Sequence, residues 1–85
     1  MDEERIDAIA ALLRAQVVSN RWWLSGDDRI AAESAAEILG VAVATLEKWR
    51  GAGNGPAFFR FGGGGHRVSY RLRDLAEYIQ RSRVG

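Results

Sequence analysis

No cysteine occurs among the 85 residues of this chain, and histidine and proline occur once each. Without thiols there is no disulfide staple, no thiol nucleophile and no thiolate zinc site, and one histidine does not build a metal cluster by itself. No cofactor, no metal and no enzymatic activity are therefore expected. Long apolar runs are missing as well, whereas ~20 consecutive apolar residues are needed to cross a bilayer. The opening stretch MDEERIDA is acidic where a secretory signal would be basic. These absences predict a cytoplasmic protein with no membrane partner. What is present is ordinary for a folded domain: 47% hydrophobic and 27% charged residues, too much apolar surface for intrinsic disorder. A chain of this length has room for one small core.

A formal net charge of +1 hides an asymmetry. Residues 1–28 contain six acids (Asp2, Glu3, Glu4, Asp7, Asp27, Asp28) against Arg5, Arg14 and Arg21, a balance of −3. Residues 29–85 contain nine bases and five acids, a balance of +4. A basic excess confined to one part of a chain points to a polyanionic partner for that part.

Ile6, Ile9, Ala10, Leu13 and Val17 recur at helical spacing, with alanines between them and acids in the first turn, which predicts an amphipathic helix over 2–18. Residues 19–29 lose this period and read as a connector anchored by Trp22 and Trp23. The run from Ala31 to Leu39 reads as a second helix stopped at Gly40, a residue suited to the left-handed C-cap. Val43, Leu46 and Trp49 then mark the inward side of a third helix, and a join of three to four residues between two helices is the spacing of a helix-turn-helix. GAGNGP at 51–56 breaks the chain. Two short aromatic or β-branched runs, Phe58–Phe61 and Arg67–Tyr70, flank four glycines and predict a β-hairpin. Leu72, Leu75 and Ile79 define a last helix, with Asp74 placed as a cap or dipole partner in its first turn. Trp23, Trp49, Phe58, Phe59, Phe61 and Tyr78 are expected in the core. Residues 62–65 do not form a nucleotide-binding loop, because no Lys-Ser/Thr pair follows them.

Taken in order, Ala35-Ala36, Leu39-Gly40-Val41, Thr45-Leu46, Trp49-Arg50, Gly55-Pro56, Arg60 with Gly62, and Tyr70 followed by Asp74-Leu75 resemble the excisionase-type winged helix-turn-helix of the MerR-like superfamily, over residues 30–83. The fold class implied is mainly α with a small β-hairpin: a winged helix-turn-helix (30–85) preceded by an extra N-terminal helix and connector (1–29). The sequence departs from such domains, which start each helix of the motif with a Ser or Thr cap and carry a basic or polar residue early in the recognition helix: Ala31, Ala42 and Ala44 stand in those places. The resemblance implies a partner, double-stranded DNA, and a role as a recombination directionality factor working with an integrase or as a transcription regulator working with RNA polymerase. It also implies self-association of adjacent copies on DNA.

If Val43, Leu46 and Trp49 point inward, then Ala44, Thr45, Glu47 and Lys48 face a major groove, which at ~12 Å wide accommodates a helix of this length. Thr45 can bond a base edge or touch a thymine methyl, Glu47 can accept from cytosine and Lys48 can donate to guanine. Arg50 at the helix end, with Arg60, Gly63, Gly64, His66, Arg67 and Arg71 on and beside the wing, would meet phosphates or a minor groove. The bland alternatives are a solvated helix face and a charged edge strand. The rival function is a protein-interaction module that keeps this fold and docks a partner through the acidic N-terminal helix.

Overall fold

In a computed structural model that describes residues 2–62 and 67–85, the first helix, α1, runs Asp2–Ser19 and buries Ile6, Leu13 and Val17. These side chains pack mainly on the last helix, α4 (Leu72–Arg81), so the apolar stripe of α1 belongs to the same core as the rest of the chain. Leu12 and Val18, off the stripe, are 71% and 61% exposed.

The connector does more than expected. Arg21 and Asp28 adopt left-handed backbone angles, φ +57° and +64°, and the chain then enters a strand, β1 (Arg29–Ala31), where the sequence suggests only a loop leading into a helix. Three residues are too few to show an alternating pattern. Their conformation is fixed by antiparallel pairing with β3 (Val68–Arg71), Ile30 lying opposite Tyr70. The Leu72 amide also donates to the Asp28 carbonyl at 2.9 Å, tying the start of α4 to the connector.

Helix α2 (Ala32–Leu39) ends at Gly40, φ +72°, where the Val41 amide reaches the Ala36 carbonyl at 3.0 Å and the backbone reverses as helix C-caps do. Helix α3 (Val43–Ala52) follows after a short turn and runs two residues beyond Arg50. The residues preceding α2 and α3, Ala31 and Ala42, make no side-chain cap bond, as their methyl groups dictate. After α3, Gly55 at φ +82° lies so close to Trp49 that a Cβ would stand 2.9 Å from the indole Cε3. Strand β2 (Phe59–Arg60) then pairs with β3, giving the sheet order β1-β3-β2. The wing tip, with Gly63, Gly64 and His66, lies outside the described residues.

Alternation divides the sheet. Ile30 and Tyr70 face the helices and are fully buried with Leu46, Leu75 and Val17. Arg29, Ser69, Arg71 and Phe59 face the other way. Four residues expected inside are not in the core: Val43, Trp23 and Phe61 are 46%, 38% and 49% exposed, and Phe59 is half-buried on the outer sheet face. Val43 opens α3 beyond the reach of the core. Trp23 and Phe61 lie on the outer sheet face beside Arg29. Trp22 instead packs against the core. The result is a mainly helical winged helix-turn-helix with an N-terminal helix.

Two comparisons test this packing. Leu13→Ala should cost about 2–4 kcal/mol of unfolding free energy and Leu12→Ala no more than about 0.5, read from denaturant midpoints. Gly55→Ala should cost about 2–3 kcal/mol because it adds a clash with Trp49 to left-handed strain, whereas Gly40→Ala, with nothing within 4 Å of the new methyl, should cost about 1.

Candidate nucleic-acid interface

Helix α3 turns Leu46 inward, with Trp49 packed against the core. Its next row, Val43, Glu47, Arg50 and Gly51, faces the hairpin, while Ala44 and Lys48 are exposed on the outer side and Thr45 is half-buried. From the hairpin, Arg60 and Val68 form a cross-strand pair directed toward α3, and Arg67 precedes β3. Glu47, Arg50, Gly51, Arg60, Arg67 and Val68 thus line an open cleft of about 460 Å³ between helix and wing. An adjoining hollow of about 240 Å³ extends to Ala32, Glu33 and Val43.

Two of the cleft arginines are held by neutral partners. Arg50 Nη1 donates to Tyr70 Oη at 2.9 Å, and the guanidinium groups of Arg50 and Arg60 lie 5.8 and 5.6 Å from the Phe58 ring centre. Phe58 in turn rests against Tyr70, with centroids 6.1 Å apart. A guanidinium on an aromatic face gains cation–π attraction and keeps its full charge. Arg50 Nε is buried without a hydrogen-bond partner among the described residues. No carboxylate of the described residues forms an ion pair with Lys48, Arg50, Arg60 or Arg67. The cleft therefore holds three arginines against one carboxylate, Glu47, an excess of positive charge.

Arg71 lies elsewhere. It shares the parity of Ser69, not of Tyr70, so it emerges on the outer sheet face, stacks on Phe59 at 4.6 Å and donates to Asp27 at 3.0 Å. Arg29 joins the same group: its Nη1 donates to Ser69 Oγ at 2.7 Å, its Nε to Asp27 at 2.9 Å, and its guanidinium lies 4.3 Å from the centre of the Phe61 ring. The Ser25 hydroxyl donates to Asp27 at 2.6 Å. This hydroxyl first, then Arg71 and Arg29, hold the Asp27 carboxyl well below the usual carboxylate range. The acidic end of α1 is also engaged within the chain: Arg73 binds Asp7, and Glu3 at 2.5 Å. Arg14 binds Asp28. Asp74, in the first turn of α4, has its pKa raised by burial, with Arg71 pulling the other way.

The structure thus brings Glu47, Arg50, Arg60 and Arg67 together, leaves Ala44 and Lys48 on the adjacent exposed face, and separates Arg71 from both. The residues that sequence reasoning missed are Phe58 and Tyr70, which orient the cleft arginines. Their aromatic character signalled a core role and concealed this one.

Among the described residues no helix is long and apolar enough to cross a membrane, and no cluster of His, Cys, Asp and Glu could hold a metal ion. A family model described as a helix-turn-helix domain matches residues 32–83. No curated protein and no solved structure gives a significant match.

The depressed Asp27 pKa carries a signed prediction. A carboxyl whose folded pKa lies below its unfolded value adds stability above the unfolded pKa, about 4, and loses it as pH falls toward the folded pKa. Asp27→Asn should therefore be less stable than the parent at pH 7, and the difference should shrink below about pH 4. Denaturant midpoints for the two proteins at pH 7 and pH 3 check this, and a gap unchanged by pH would contradict it.

Proposed function

Because the chain belongs to the helix-turn-helix domain family, which covers 52 of its 85 residues, we propose that it binds double-stranded DNA by sequence, with α3 in the major groove and the wing on phosphates or the minor groove. The observation that carries this reading is the cleft between α3 and the hairpin, where three arginines converge beside one carboxylate, Glu47, and form no ion pair among the described residues. Phosphates are the partners that such a surface lacks. Lys48 and Glu47, exposed on α3, supply base contacts; Thr45 and Ala44 lie beside them. Arg50, Arg60 and Arg67 position the backbone. Arg71, engaged with Asp27, is left out of this set.

The activity is non-catalytic and cytoplasmic in this reading. The excisionase-type pattern of residues 30–83 gives it two biological settings, recombination directionality beside an integrase or transcription regulation beside RNA polymerase. The rival reading, docking through an acidic N-terminal helix, is weakened because Glu3 and Asp7 are bound to Arg73 and the apolar stripe of α1 is buried. A protein contact through α1 would instead use exposed Leu12 and Val18, and the fitting occupant is an adjacent copy on the same DNA.

Titrating duplex DNA from upstream of the chain's own gene in graded salt tests the proposal. With roughly four phosphates neutralised, log K should fall against log salt with a slope of about −3 to −4. Arg67→Ala should weaken all sequences alike and flatten the slope by about 1, whereas Lys48→Ala should cost about 1–3 kcal/mol on the preferred site and little on random DNA. A salt-independent affinity, or no binding at all, would reject it.

A further inference from the structure

The head of α3 is apolar where it has no need to be. Val43 is 46% exposed and absent from the residues packed on the core, and Ala42 and Ala44 on either side of it are exposed too. Val43 therefore keeps nearly half of its apolar surface accessible at the start of the helix. The N-terminal residues of a recognition helix are the ones that meet base edges. Of the groups those edges show in the major groove, only the C5 methyl of thymine is apolar.

The surroundings restrict the occupant further. Val43 forms one wall of the 240 Å³ hollow, with Ala32 and Val68 as its other apolar walls and Glu33, Glu47, Arg50 and Arg67 as its charged ones; with Arg60 of the adjoining cleft, arginines outnumber carboxylates on this face. Those arginines make no ion pair among the described residues. An excess of guanidinium groups over carboxylates beside an apolar contact draws a polyanion to this face, not a hydrophobic protein segment. The occupant that offers phosphates and a methyl group together is a thymine-containing duplex.

We infer that Val43 is a specificity-determining residue that reads one thymine through its C5 methyl, with Ala44 completing the apolar contact and Glu47, one turn further on, accepting from the amino group of a neighbouring base. This inference rests on the DNA-binding reading above. Burying one methyl-sized group is worth ≈ 0.8 kcal/mol, so the contact corresponds to about a fourfold preference for thymine over uracil.

The test uses the full chain and a duplex enriched from a random-sequence pool. Each thymine of that duplex is replaced in turn by deoxyuridine, which removes the methyl and keeps the base pair. For the parent protein, one position should lose about fourfold in affinity. In Val43→Ala, that penalty should vanish while the dependence of affinity on salt is kept, since the cleft arginines are untouched. Uracil tolerated at every position overturns the inference. So does a penalty that survives intact in Val43→Ala, which would assign the methyl contact to Thr45. Binding without enrichment of any sequence also overturns it while leaving DNA binding standing, and failure to bind any duplex removes the underlying reading as well.

Discussion

A nearly buried guanidinium sets the terms for the outer half of this structure. Arg29 is only 9% exposed, and a charge withdrawn from water has to be paired and hydrogen-bonded. Its needs are met by Asp27 at one end, the Ser69 hydroxyl at the other and the Phe61 and Phe59 rings around it. Meeting them folds the connector back on itself, with the Arg29 amide bonded to Ser25 Oγ and the Ser25 amide to the Arg29 carbonyl. That reversal delivers Arg29–Ala31 to the edge of the hairpin as a third strand. The N-terminal helix is thereby joined to the helix-turn-helix through a sheet as well as through its packing on α4.

The same group of residues governs charge. Asp27 is occupied by Arg29 and Arg71, Asp28 by Arg14, and Glu3 and Asp7 by Arg73. Four of the six acids of residues 1–28 are thus bound to arginines away from the cleft, and the cleft arginines form no ion pair among the described residues. Most of these pairs are solvent-exposed and individually contribute little to stability. Their collective effect is on the shape of the potential: a molecule of net charge +1 presents a concentrated positive face, and fields of that kind speed the approach of a polyanion.

How far this was readable from sequence depended on the kind of signal. Helical periodicity located α1, α3 and α4, and Gly40 marked the turn of the motif, because each rests on local chemistry that the residues carry with them. Strand β1 was not readable, since three residues show no period and its partner lies some forty positions away. Arg71 looked like a wing cation because position along the chain does not say which sheet face a side chain takes. Its parity with Ser69, set against that of Tyr70, contained the answer once the register was known. Val43 matched the inward period of α3 with Leu46 and Trp49, yet it lies at the helix end where the core has already stopped.

Neither helix of the motif is held in place by its own N-terminus. Alanine at a cap forgoes about 1 kcal/mol relative to Ser or Thr, and both Ala31 and Ala42 make that omission. For α2 the loss is offset because Ala31 is already fixed as the end of β1. For α3 the constraints come from the other end and from one side: Leu46 is fully buried, Trp49 is wedged between Gly55 and Tyr78, and Arg50 is bonded to Tyr70 of the central strand. The C-terminal half of α3 therefore fixes its orientation to the wing, leaving the N-terminal turn with no structural duty of its own. A side chain there can change without moving the helix. That separation of anchoring from contact is what allows a single small domain to alter what it reads while keeping how it docks.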